Sequence, residues 1–138
     1  MMNAGEQVAL IDEGQTDRFE AVNAALPVFE STLTVFLNQL DAIDQKVTKK
    51  LRQSILAQVS LRLSSQIERQ HLNAWITGSA DRLEINIGVG DMQNCIHHAY
   101  HSACEYFGPT KTDEFLSKAV KHTETLPIAM GFSPHKLF

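Results

Sequence analysis

Between Val28 and Thr77 the chain runs through fifty consecutive residues without a glycine or a proline. A continuous helix of that length would extend roughly 75 Å, far more than a compact domain of 138 residues can hold. At least one turn is therefore concealed in the run. The apolar residues Phe19, Val22, Leu26, Phe29, Leu33, Phe36, Leu40, Ile43 and Val47 advance by alternate steps of three and four, which keeps them on one helical face. Proline fits a first helical turn but costs ~3 kcal/mol in a helix interior. The spacing thus predicts a helix from about Pro27 to about Leu40, preceded by a short helical lead-in. The flanking positions, Asn23, Glu30, Leu37 and Asp44 on one side and Ala25, Thr32, Gln39 and Lys46 on the other, lack the complementary charges of a coiled coil. Val28, Val35 and Leu37 also widen the stripe, so a buried bundle helix is the reading adopted.

The concealed turn is placed at Leu40-Asp41-Ala42-Ile43-Asp44, where either aspartate can cap the next helix. A second helix is expected from about Gln45 to about Gln70, burying Leu51, Ile55, Leu56, Val59, Leu63 and Ile67. Val59 to Ser64 also alternates with period two, the pattern of a strand, and this is the competing reading. Next comes a predicted antiparallel hairpin over 72–89, Leu72 to Thr77 and Arg82 to Val89 joined by Gly78-Ser79-Ala80-Asp81. Pairing Thr77 with Arg82 sets Ile76, Ala74 and Leu72 opposite Leu83, Ile85 and Ile87, so both strands turn apolar side chains to one face. Asp91 is the expected cap of a third helix ending at Phe107 before Gly108-Pro109. Thr112, Asp113 and Glu114 open a fourth, to about Leu126, with Phe115, Leu116, Ala119, Val120 and Thr123 as its buried stripe. The fold class is thus α+β, mainly helical: about four helices and one hairpin. Residues 1–16 are read as a mobile arm and 17–138 as a single globular domain.

Composition narrows the function classes. With 43% hydrophobic residues the chain can form a real core, and the 12 basic against 16 acidic residues leave a net charge of −4. That balance disfavours a general nucleic-acid or anionic-membrane binder. The charge is unevenly spread, however: residues 46–71 hold six bases and one acid. Lys46, Lys49, Lys50, Arg52, Arg62 and Arg69 form a basic stretch whose functional reading is a grip on phosphates and whose plain reading is a solvated face. Met1 to Thr16 contains only the short apolar run Val8-Ala9-Leu10-Ile11, against the ~20 residues a membrane span requires. Cys95 and Cys104, nine residues apart on one predicted helix, lie about 13 Å from each other, too far for a disulfide. Free thiols and no export signal fit a reducing cytoplasm.

The densest chemistry lies in Cys95-Ile96-His97-His98-Ala99-Tyr100-His101-Ser102-Ala103-Cys104-Glu105. His97 and His101 are one turn apart, and Cys104 or Glu105 follows within reach, a set able to chelate zinc or nickel. The specific zinc patterns are absent, so the expected cofactor is none and the set His97, His101, Cys104 and Glu105 stands as the alternative metal site. A Cys104–His101 nucleophile pair lacks an orienting third group and an oxyanion donor. Gly88-Val89-Gly90 lacks the third glycine and the lysine of the phosphate-binding loops. The expectation is therefore a non-catalytic, self-associating interaction or adaptor protein, a homodimer, with Trp75, Phe132, Leu137 and Phe138 as its candidate contact surface. A metal-binding regulator and a nucleic-acid binder on the basic helix are the alternatives.

Overall fold

A computed structural model describes residues 23–138. The arm 1–16, together with Phe19 and Val22 of the long stripe, lies outside the described residues. Helix α1 covers 23–41 of them and continues through Pro27, so the proline lies within the described helix and does not mark its start. The wide apolar face is buried, with Phe29, Leu33, Phe36, Leu37 and Leu40 each no more than 2% exposed. Every one of these side chains contributes about 1.5–3 kcal/mol relative to exposure. α1 lies against the last helix through a hydroxyl cluster, Ser31 and Thr32 to Thr123 at 3.0 and 3.1 Å.

The concealed turn falls where the aspartates are. Asp44 caps α2 (Gln45–Ser60), its Oδ1 accepting from the backbone N–H groups of Lys46 and Val47 at 3.1 and 3.2 Å. Because α1 has ended by then, Ile43 continues the three-four spacing into a turn and is 49% exposed. α2 buries Thr48, Leu51, Ile55 and Val59 and stops ten residues before the expected end at Gln70. Leu63 is buried in the connection that follows, while Leu61 and Ile67, the latter predicted to be core, stand 85% and 66% exposed.

The predicted hairpin does not form: among the described residues there is no strand. The described residues are mostly helical and not α+β as expected, because the first supposed strand is the end of α3 (Gln66–Ile76). Ser65 caps that helix, its Oγ accepting from the Glu68 N–H at 3.1 Å and donating to the Glu68 carboxylate. This serine-glutamate spacing is a helix-start signature present in the sequence. Leu72, Trp75 and Ile76 then fall at helical spacing and are buried, a pattern as compatible with the residues as the alternation Leu72, Ala74, Ile76. Gly78, read as part of a hairpin turn, instead terminates α3 at φ +89°. Its N–H donates to the Trp75 carbonyl at 3.1 Å and that of Ser79 to the Ala74 carbonyl at 2.7 Å, the paired bonds of a glycine helix terminus. A hairpin and a helix terminus both ask for positive φ, so the glycine alone does not distinguish them.

The second supposed strand is extended but unpaired. Leu83, Ile85 and Ile87 are buried and Glu84 and Asn86 exposed, so the alternation reports burial against helices and not a ladder. Glu68 Oε2 holds this segment by accepting from the Asn86 N–H at 2.6 Å. α4 (Val89–Phe107) starts at Gly88, with Asp91 in its first turn and not at the cap. Gly108, at φ +84° and ψ 155°, ends α4 and begins α5 (Pro109–Glu124), with Pro109 in its first turn. α2 packs on α3 and α4, and α4 on α5; two short 3-10 turns, Pro127–Met130 and Pro134–Leu137, lay the tail across α4 and α5. Thr112, Ala119, Val120 and Thr123 are buried on α5, while Phe115 and Leu116 remain half-buried.

Candidate functional site

The outer sides of α4 and α5 and the end of the tail enclose two adjoining depressions. One, of about 530 Å³, is lined by Asp113, Leu116, Ser117, Val120, Lys121, Glu124, His135 and Phe138. The other, of about 280 Å³, is lined by Ile96, His97, Tyr100, His101, Leu116 and Phe138. Leu116 and Phe138 belong to both, so the two read as one groove with an apolar floor and a polar rim of mixed sign. The tail that forms one wall is anchored by the fully buried Leu137. Gln93 Nε2 donates to the Lys136 carbonyl at 2.8 Å, and His135 pairs with Glu124. Tyr100 donates its hydroxyl to Asp113 and so ties α4 to α5. That bond, with a further contribution from Cys104, holds the phenol well above its usual range and keeps it protonated.

Of the four residues proposed as a contact surface, Trp75, Phe132 and Leu137 are core side chains, 8%, 7% and 0% exposed. Phe138 alone, at 42%, offers apolar surface at the groove. The metal set is spread along α4. His97, His101 and Glu105 are exposed, the two histidines line the groove, and Cys104 lies beside the Tyr100 hydroxyl. Among the described residues no three His, Cys, Asp or Glu side chains converge as a metal would require. His98 turns the other way and meets Ser54 Oγ at 2.7 Å across the α2–α4 contact. Both cysteines are free thiols; Cys95 is buried, and desolvation pushes its pKa up to about 12.

The basic stretch is dismantled by the fold. Arg52 Nη2 pairs with Asp41 Oδ2 at 2.6 Å and Nη1 donates to the Ile76 carbonyl at 3.0 Å, joining the ends of α1 and α3 to α2. Arg69 Nη1 donates to the Leu63 carbonyl at 2.9 Å, and Arg62 approaches Asp91 at 3.8 Å. Of the six bases, Lys46, Lys49 and Lys50 are left exposed on the surface, while the three arginines are drawn into these contacts. Two clefts flank the Arg52–Asp41 pair, one lined by Thr34, Asn38, Trp75, Gly78 and Asp81, the other by Gln45, Lys49, Gln53, Leu56, Asn73 and Ile76. The sequence marked His97, His101 and Phe138 separately but gave no sign that they share a groove, because that groove is made by segments distant in the chain. Its floor residue Leu116 was legible only as an apolar position of α5.

No described helix is long and apolar enough to cross a membrane. Compared with known proteins, the chain matches no family model, no curated protein and no solved structure.

Proposed function

We propose that the chain is a small cytoplasmic, non-catalytic protein-interaction domain that dimerises through the groove of α4, α5 and Phe138. The observation that carries this reading is the composition of that face: Leu116, Val120 and Phe138 form an apolar centre, and Asp113, Lys121, Glu124 and His135 surround it. An apolar centre inside a polar rim is the anatomy of protein interfaces. In a two-fold dimer the same patch meets itself, and a rim carrying both signs can be self-complementary, whereas a rim of one sign would repel its copy. The two free thiols fit a reducing compartment.

Sedimentation velocity of the full chain tests this. Dimers are expected at micromolar concentration, and Phe138→Asp, a change at an exposed terminal side chain, is expected to yield monomers with an unchanged helical spectrum. A wild-type chain that stays monomeric up to ~100 µM, a free energy of association weaker than about 5.5 kcal/mol, would overturn the proposal. So would a dimer indifferent to Phe138→Asp.

A further inference from the structure

Lys46, Lys49 and Lys50 are spaced three and four residues apart with Gln53 one turn beyond, so they share one face of α2. All three are exposed. The opposite face carries Thr48, Leu51, Ile55 and Val59 into the core, which fixes the lysine face outward. Immediately beside it lies a cleft of about 310 Å³ that Lys49 and Gln53 line together with the Asp41–Arg52 pair, Asn73, the half-buried Leu56 and the buried Ile76. Ile43, 49% exposed, stands in the turn that precedes α2. The negative charge nearest by is committed elsewhere: Asp41 is held by Arg52, and the Asp44 carboxylate accepts the N–H groups of α2. A chain of net charge −4 thus concentrates three exposed lysines at one corner, beside a cleft in which Leu56 is half-buried.

We infer that this corner is a docking surface for an acidic amphipathic segment of a partner protein, whose carboxylates meet the three lysines while its apolar side chains enter the cleft over the half-buried Leu56. Charge complementarity fixes the sign of the partner, and the half-buried Leu56 beside a short lysine track favours a peptide over a nucleic acid. The lysine cluster covers only about 6 Å of helix rise from Lys46 to Lys50, room for two phosphates of a strand. The arginines that would have lengthened the track are spent on Asp41, the Ile76 and Leu63 carbonyls and Asp91. This surface is built from α2 and α3 and is independent of the groove on α4 and α5, so it is available in monomer and dimer alike.

The test is fluorescence anisotropy of the full chain with a labelled peptide of about four helical turns, Glu with Leu at every third and fourth position. Three comparisons accompany it: an all-Glu peptide, an oligothymidylate of about 20 nucleotides, and the variant K46E/K49E/K50E. Acid in the first turns of a helix is favourable, so the variant is expected to fold, and its circular dichroism and melting curve are recorded alongside. Micromolar binding of the Glu-Leu peptide is expected, with at least tenfold loss on charge reversal, at least tenfold weaker binding of the all-Glu peptide, and amide shift changes confined to Lys46–Gln53 and the end of α3. Equal binding of both peptides, tighter binding of the oligothymidylate, an unaffected variant, or absence of binding at ~1 mM would each overturn the inference. None of these outcomes bears on the oligomeric state.

Discussion

Arg52, on α2, bonds to the ends of both α1 and α3, and its removal is a sharp test of how the three helices are held together. Its guanidinium joins Asp41 at 2.6 Å and the Ile76 carbonyl at 3.0 Å, with the arginine side chain 21% and the aspartate 33% exposed. Hydrogen bonds to a charged group contribute about 1.5–3 kcal/mol when shielded, and exposed ion pairs about 0–1. A pair one-fifth to one-third exposed falls between these limits. Arg52→Ala also removes the aliphatic stem that, with Leu56 and Ile76, lines the adjoining cleft. The expected cost is about 2–3 kcal/mol. For a chain of this length that lowers the melting temperature by about 7–10 °C. Arg52→Lys keeps the charge but, as a point donor, holds one partner at a time, and should cost about half as much. Urea titrations of wild type, Arg52→Ala, Asp41→Ala and the double variant close a cycle whose coupling should reach about 1 kcal/mol. The midpoint should move with the slope unchanged. Loss below ~0.5 kcal/mol for Arg52→Ala, the scatter of ordinary surface changes, would refute the tether, as would a lysine variant as stable as wild type.

Further expectations rest on other particular contacts. Gly78→Ala should cost about 1–2 kcal/mol for placing a Cβ at φ +89°. Gly108→Ala should cost at least as much, since φ +84° with ψ 155° is open essentially to glycine alone. Gly131→Ala, at φ −85° with no close contact, should be neutral in the same melts. Glu68→Ala removes the acceptor of the Asn86 N–H; hydrogen exchange at that amide should accelerate at least tenfold while amides in the middle of α4 stay protected. Glu30 has its pKa raised, by burial foremost, with the Leu83 N–H and Arg82 opposing. A carboxyl raised on folding binds its proton more tightly in the native state, so its burial costs stability above the folded pKa. That cost is relieved as pH falls through the folded value toward the unfolded one near 4.5. Glu30→Gln should flatten this part of the stability profile, and a mutant profile parallel to wild type between neutrality and pH ~4.5 would exclude the assignment. Ellman's reagent should titrate Cys104 in the native protein and Cys95 only after denaturation, since Cys95 is buried and Cys104 partly exposed.

The helical content and several boundaries were written in local chemistry. The absence of glycine and proline from Val28 to Thr77 forced a hidden turn, and Asp44 supplied its cap. Gly108-Pro109 stops one helix and starts another, because a positive φ and a missing N–H are properties of those residues themselves. Even the Ser65-to-Glu68 cap that turns the first supposed strand into α3 was there to be read. What the chain alone left undecided was every question whose answer lies in a distant segment. Leu83, Ile85 and Ile87 alternate whether they face a strand or a helix surface, and only the assembled core shows that they meet helices. Six bases look alike in one dimension. It takes the arrival of Asp41, the Ile76 and Leu63 carbonyls and Asp91 to convert three arginines into tethers and leave three lysines on the surface. Local preference acts over a few residues of backbone, whereas burial and charge pairing depend on neighbours that only the tertiary fold brings together.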